Sequence, residues 1–171
     1  MKASLSTSIL ALLCLALLLT ACGPEISEET KILVEENQKY AVSYPANFDV
    51  EYYGTHGVAI MRGTRENFKG ARADINILPS GSMTTQAAAL EYLSMYSNDE
   101  LTTTTITLDN EEAIVIDGVP GKEVTRTVLI IHNDQLYKFN FVPANPDDSA
   151  FVEMEALYKV IIESFDFDPE P

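Results

Sequence analysis

An apolar leader followed by a cysteine is the feature that most constrains this chain. Residues 9–19 form an unbroken apolar run, and Lys2 is the only charged residue among the first 21. The run is too short for a transmembrane helix, which needs about 20 apolar residues. Its length, with a basic residue before it, is typical of a secretory signal peptide. We therefore expect residues 1–21 to be removed and the folded domain to follow them.

The leader ends in Leu19, Thr20, Ala21 and Cys22, which resemble a bacterial lipobox at every position. The resemblance implies that the Cys22 thiol receives a diacylglycerol and that cleavage makes Cys22 the new N-terminus. Each buried methylene contributes about 0.8 kcal/mol, so two or three acyl chains anchor a domain almost permanently. Two alternatives stay open, namely an ordinary secretory signal with a chance cysteine and an uncleaved anchor.

Cysteine count and length then bound the mature domain. Cys14 leaves with the leader, so the mature chain keeps a single cysteine and no internal disulfide is possible. Residues 22–30 contain Gly23-Pro24 and several glutamates, which predicts a short, extended acidic tether. The remaining residues suit one domain with a real core, which we place at 31–168. We expect this domain on the extracytoplasmic face of a membrane in the bacterial cell envelope.

The charge balance excludes two kinds of partner. Ten of the 11 basic residues and all 26 acidic residues lie after the leader. So acidic a surface repels phosphate backbones, which argues against nucleic-acid binding. It also repels anionic headgroups, so we expect membrane contact through the lipid anchor rather than through surface charge.

The apolar periodicity predicts mostly antiparallel strands with two helices separated in sequence, which indicates an α+β fold with an antiparallel sheet flanked by helices. A first helix is expected over 84–97, with Thr84 as N-cap, and a second over 146–164, with Asn145 as cap and Pro146 at the first position. Turns are expected at Asp109-Asn110 and Asn133-Asp134. Strands and hairpins are predicted at 31–35, 39–44, 48–52, 58–61, 73–78, 102–108, 113–116, 122–132, 135–142 and 165–167.

Three segments resemble PsbP-like (DcrB-like) proteins. Tyr40–Pro45 with Phe48 resembles the opening segment of that family, although the family often has Trp where this chain has Phe48. The Asp-Gly-hydrophobic-Pro turn at 117–120 and the ending Ser164-Phe165-Asp166-Phe167 complete the match over about residues 31–168. The resemblance implies an α/β/α sandwich and a role in docking to partners rather than in catalysis. It is specific for fold and says little about function.

The segment Arg62–Arg72, here called the basic loop, is the least ordinary part of the chain. It carries four of the ten basic residues of the mature domain, together with one aromatic side chain. Such a positive island suits contact with an acidic partner. The alternative is pairing with carboxylates of the same domain. The candidate contact residues are Arg62, Arg65, Phe68, Lys69 and Arg72, of which Arg65, Phe68 and Lys69 are expected to protrude most.

The sequence offers no clear catalytic or metal-binding motif. His56 and His132 have no neighbour at metal-ligand spacing and fall beside predicted turns, where we expect both to face solvent. Acidic clusters at 109–112 and 147–148 lack EF-hand spacing. No Gly-x-Ser-x-Gly or phosphate-binding loop occurs. We therefore expect no enzyme activity, no cofactor and no metal. The first hypothesis is a docking or assembly module for a protein partner; the alternative is a lipoprotein that binds a small ligand or metal.

Overall fold

The structure is a computed structural model that describes residues 26–97 and 100–170. Ten strands form two antiparallel sheets. A small sheet has the order β1-β2-β10 and a large one the order β3-β4-β5-β9-β8-β7-β6. The strands are β1 Thr30–Glu35, β2 Tyr40–Pro45, β3 Asp49–Tyr53, β4 Gly57–Arg62, β5 Lys69–Pro79, β6 Thr102–Leu108, β7 Glu111–Val119, β8 Thr125–His132, β9 Gln135–Val142 and β10 Asp166–Phe167.

Two helices lie on opposite faces of the large sheet. Helix α1 (Thr85–Ser94) packs against β7 and β8, and helix α2 (Phe151–Ser164) packs against β5 and β9 and against β2 of the small sheet. The predicted α+β class, an antiparallel sheet flanked by helices, is thereby confirmed. The small sheet and α2 form one layer, the large sheet the second and α1 the third.

Alternation along β5 separates two environments. Ala71, Ala73, Ile75 and Ile77 face the main core, which also holds buried side chains from β2, β9 and α2. Small residues at 71 and 73 leave room for α2, whose buried residues are Glu153, Met154, Leu157 and Ile161. The Arg72 and Asp74 side chains, which alternate with these, point to the opposite face and pair with each other there.

Two tight turns match the sequence prediction. The β6–β7 turn at Asp109-Asn110 and the β8–β9 turn at Asn133-Asp134 each have two consecutive residues with positive φ, between 44° and 65°. Asn and Asp tolerate this backbone better than other non-glycine residues, and it suits two-residue hairpins. The predicted N-cap of α1 is also confirmed, because the Thr84 side chain accepts a hydrogen bond from the Ala87 amide at 3.2 Å.

The predicted start of the second helix is wrong. Helix α2 begins at Phe151 rather than at Pro146. Asn145 Oδ1 accepts from the Asp147 amide at 3.1 Å, and Asp148 Oδ1 accepts from the Ala150 amide at 2.8 Å. These side chains hold the backbone in two successive turns and so compete with helix formation.

An aromatic cluster joins the two sheets at the C-terminal end of α2. The Phe165 ring stacks on the Tyr40 ring of the small sheet, with 5.2 Å between the ring centres. It meets the Phe139 ring of the large sheet edge-on, with 5.0 Å between the centres. Phe167 in β10 lies 5.0 Å from Phe165 and 4.9 Å from Tyr137. Such ring pairs stabilise a core beyond the area they bury.

We predict that Phe165→Ala lowers the free energy of unfolding by about 3–5 kcal/mol, because it leaves a cavity where the two sheets meet. Val152→Ala on the exposed side of α2 is the control, and its effect should stay within about 0.5 kcal/mol. Urea denaturation of both variants measures the difference. Equal losses in the two variants would contradict the role given to Phe165.

Candidate functional site

The basic loop folds back onto its own domain. It leaves β4 at Arg62, where the pairing with β5 shifts register, and enters β5 at Lys69. Each of its arginines lies against a carboxylate or an aromatic ring of the domain, and these contacts give the loop a fixed shape.

Arg62 is paired with a buried carboxylate. Its Nη2 lies 2.5 Å from Oε1 of Glu153, whose side chain is fully buried in the first turn of α2. The other carboxylate oxygen, Oε2, accepts a hydrogen bond from the Ala71 amide at 3.0 Å. One side chain therefore ties together the end of β4, the start of β5 and helix α2. Removing either partner of such a pair leaves an uncompensated charge in a poorly solvated place.

Gly70 makes room for this pair. Its φ of 76° lies in the left-handed region, which glycine adopts without steric cost. A Cβ atom at this position would overlap the Glu153 carboxylate and would lie 2.7 Å from Arg62 Nη2. Any other residue here would have to displace the ion pair.

Arg72 and Arg65 are held by Asp74 and by aromatic rings. Arg72 Nε donates to Asp74 Oδ2 at 2.9 Å, and its guanidinium lies 4.5 Å from the centre of the Phe68 ring. The Arg65 guanidinium lies 3.6 Å from the centre of the Tyr53 ring, a cation–π geometry. Burial raises the pKa of Asp74, although Arg72 and Arg65 counteract part of the shift, and burial also raises the pKa of Tyr53 to about 12.

The loop residues therefore differ in what they offer a partner. Arg65 and Phe68 are half-buried, so the expectation that they protrude is wrong; their contacts with Tyr53 and Arg72 draw them inward. Pairing within the domain, the alternative that the sequence left open, holds for Arg62 and Arg72. Lys69 is exposed and makes no ion pair within the described residues.

A cleft of about 480 Å³ opens beside the loop at the N-terminal end of α2. Phe68 and Gly70 form one side, and Lys122, Pro143 and Ala150 lie on others. Glu66, Glu123 and Asp148 add carboxylates to the wall, and Arg62 with Glu153 completes the lining. Lys122 is exposed and, like Lys69, has no ion pair in the part of the chain that the structure describes.

A second, smaller concavity of about 240 Å³ lies between α1 and the sheet. Its lining is mainly apolar and includes Met83, Tyr92, Leu129 and Leu136, with Lys138 as its basic member. Nothing in the structure shows what would cover it.

The histidines occupy different surroundings. His56 hydrogen-bonds Gln38 at 2.9 Å beside a turn, as expected. His132 was expected to face solvent, but it is half-buried, stacks on Phe167 at 4.1 Å and lies 2.7 Å from Glu111. Within residues 26–97 and 100–170 no cluster of three or more His, Cys, Asp or Glu side chains is placed to hold a metal ion.

The sequence did not indicate Glu153 or Asp74 as site residues. Each lies inside a helix or strand that the pattern of neighbouring apolar residues already predicts. Glu153 lies between apolar positions of an amphipathic helix, where a carboxylate normally faces solvent. No local signal indicated it, because Gly70, which leaves space for the Glu153 carboxylate, fell in the predicted loop before the strand at 73–78, where glycine is ordinary.

Leu19, Thr20, Ala21 and Cys22 lie outside the described residues, as do the rest of the leader and the first part of the tether. Among the described residues, no helix has the length and apolar character needed to cross a membrane.

No protein-family model and no curated protein matches the sequence. Among solved structures, the cyanobacterial PsbP (CyanoP) of Synechocystis superposes with a TM-score of 0.55 at 13% identity, over 87% of this chain and 98% of that one. A protein from Bacteroides thetaiotaomicron gives a TM-score of 0.56 at 12% identity over 82% of this chain. The chain spans about half (49%) of the Bacteroides protein. These likenesses show a PsbP-like fold.

We predict that Gly70→Ala destabilises the domain by at least about 2 kcal/mol, because it adds steric overlap with a buried ion pair to the cost of a left-handed backbone. Gly81→Ala is the matched control: its φ of 62° is similarly left-handed, but no atom lies within 4 Å of the added Cβ. It should show the backbone cost alone, about 1 kcal/mol. Urea denaturation compares the two, and equal losses would contradict the role of Gly70.

Proposed function

We propose that this chain is a non-enzymatic docking module, anchored by a lipid on Cys22 to the extracytoplasmic face of a bacterial membrane. Its contact surface is the basic loop with the adjoining cleft, and its partner is a protein that presents an acidic segment. The PsbP-like fold is compatible with this role but does not select it, since one fold hosts many functions.

The observation that carries the proposal is that some basic residues are ion-paired inside the domain, whereas others are exposed and unpaired. Arg62 forms an ion pair with Glu153, and Arg72 forms one with Asp74. These pairs hold the loop in one shape. Lys69 in the loop and Lys122 in the cleft lining remain exposed without an ion pair among the described residues. A loop that is already ordered loses little entropy on binding, which favours affinity.

Charge favours an acidic segment at this place. The net charge of the chain is negative and the cleft lining itself carries carboxylates, so attraction for an acidic segment is confined to the surroundings of exposed Lys69 and Lys122. Phe68, next to Lys69 in sequence, lines the cleft and offers an aromatic surface of the kind that anchors interfaces.

A small-ligand-binding lipoprotein is the second candidate, and the cleft itself favours it. Its volume of about 480 Å³ lies within the range of small-molecule sites, and lysine, arginine and carboxylate groups converge on it. A bound ligand would raise the melting temperature of the purified protein, whereas docking alone predicts no such ligand.

We predict that Cys22→Ala releases the protein from the membrane fraction, because no acyl chain can then be attached. Cell fractionation measures the distribution, and mass spectrometry of the wild-type protein should show an acylated N-terminus at residue 22. If the variant stays in the membrane fraction as the wild type does, the anchor is not at Cys22.

We predict that the double variant Lys69→Glu/Lys122→Glu loses about tenfold or more of its protein partner in pull-downs from detergent-solubilised envelope, because two attractive charges become repulsive. The matched control is Lys39→Glu/Lys159→Glu, which makes the same charge change at exposed lysines elsewhere. The control should retain the partner and both variants should keep the wild-type melting temperature. The wild-type interaction should weaken as salt is added.

Equal losses from the two double variants would show a response to overall charge and would contradict the site. Retention of the partner by both would remove the loop and cleft from the interface.

A further inference from the structure

Strand β1 is the outermost strand of the small sheet and pairs only with β2 among the described residues. It is six residues long, contains no proline and shows no register shift against β2. Two of its apolar side chains point away from the core, Ile32 at 68% exposure and Val34 at 53%. A regular edge strand with exposed apolar side chains is a template for pairing with another strand.

The other sheet edges differ from β1. The outward residues of β6 are threonines, β10 has only two residues, and β3 exposes one large apolar side chain, Tyr52, rather than two. In natural proteins, edge strands usually carry charges, prolines or bulges that prevent pairing with another chain. In β1 the charges are Lys31 and Glu35, which stand two residues on either side of Leu33.

This spacing makes β1 complementary to itself. When two copies run antiparallel with Leu33 opposite Leu33, each Lys31 lies opposite Glu35 of the other copy, and each Ile32 lies opposite Val34. Two opposite-charge pairs and two apolar pairs then form across the strands, the kinds of cross-strand pair that stabilise sheets. Moving the register by two residues in either direction destroys both charge pairs, and a shift of one residue places core and solvent faces on the same side.

We propose that β1 pairs with β1 of a second copy of this chain, in antiparallel register centred on Leu33. The two small sheets become one six-stranded sheet with the order β10-β2-β1-β1-β2-β10. On the β2 edge away from β1, the Ser43 amide donates to Ser164 Oγ of α2 at 2.9 Å, so α2 lies on the far side of β2 from the paired β1 strands. At least about three strand spacings, roughly 14 Å, therefore separate the two helices. That separation exceeds the diameter of about 10 Å of a helix with its side chains, so the two copies fit side by side.

The pairing uses the free backbone edge and the side chains of β1, none of which belongs to the basic loop or lines the cleft. It is a small interface, and two acidic domains repel each other, so we expect a weak dimer at low ionic strength. At about 0.15 M salt the Debye length is about 8 Å. Salt then screens the repulsion between distant charges of the two domains, while the attraction between opposite charges across the paired strands persists.

Paired cysteines test the register. Full-length chains with Ile32→Cys and one affinity tag are mixed in detergent with chains carrying Val34→Cys and a second tag, then mildly oxidised at about 0.15 M salt. Directly opposite residues have Cβ atoms about 5 Å apart and can form a disulfide, whereas identical residues in this register lie on a diagonal at about 7–8 Å. We expect at least about fivefold more disulfide-linked dimer from the mixture than from either variant alone.

Two controls make the result specific. The unsubstituted chain measures any background from Cys14 and Cys22. A mixture of Thr103→Cys and Thr105→Cys chains places cysteines two residues apart on β6, another exposed edge strand, as the test variants do on β1. Equal cross-linking of the β1 and β6 mixtures, or of the β1 mixture and its single variants, would overturn the proposal.

Charge reversal tests the pairing chemistry in the same assay. Lys31→Glu in both copies should lower the initial cross-linking rate about tenfold, because two attractive pairs become repulsive. Adding Glu35→Lys should restore it, since each pair is then reversed but intact. Failure of the double reversal to restore cross-linking, with the fold intact by circular dichroism, would overturn the register.

Discussion

The aromatic cluster around Phe165 is the contact on which the rest of the structure depends. The small sheet shares no strand pairing with the large one, so ring packing and a few hydrogen bonds join the two, among them the Phe167 amide donating to Asp109 Oδ2 at 2.8 Å. Phe165 lies at the point where α2 ends, between Tyr40 of the small sheet and Phe139 of the large one. The turn of the chain at Phe165 then delivers β10 to the edge of β2. The ring contacts therefore bring the helix and both sheets together at one place.

The opposite end of α2 is fixed by charge instead of by rings. Glu153 reaches from the first turn of the helix to Arg62 and to the Ala71 amide, and Gly70 leaves the space that this arrangement needs. A buried ion pair is a weak source of net stability but sets a geometry strictly, because either partner alone would be strongly unfavourable. The same pair that completes the domain thus determines the shape of the basic loop and the floor of the cleft.

Besides the apolar concavity beside α1, two surfaces carry the proposed contacts. One is the cleft at the N-terminal end of α2 with the exposed lysines in and beside it, and the other is the free edge of β1 with its exposed Ile32 and Val34. They use different chemistry, charge in one case and strand pairing in the other. Because the two sets of residues do not overlap, the proposed partner and the proposed second copy would not compete for the same contacts.

The sequence by itself determined most of the secondary structure and the α+β class. Alternating apolar residues predicted the strands, Asp109-Asn110 and Asn133-Asp134 marked the hairpin turns, and Thr84 marked the start of α1. These signals are local, since they depend on neighbours a few residues apart. The start of α2 was misjudged because Asn145 and Asp148 favour turns and caps alike, and only the surrounding backbone selects between them.

Only the tertiary structure determined which charged side chains are paired inside the domain. The basic loop was visible as a cluster, but Arg62 meets Glu153 from 91 residues further along the chain, and Arg65 meets the ring of Tyr53 on a separate strand. No local pattern specifies such pairs, because they depend on which strand and helix the fold brings together. The proposed lipid anchor at Cys22 is the reverse case: it rests on a four-residue motif that the sequence carries complete and to which the fold adds nothing.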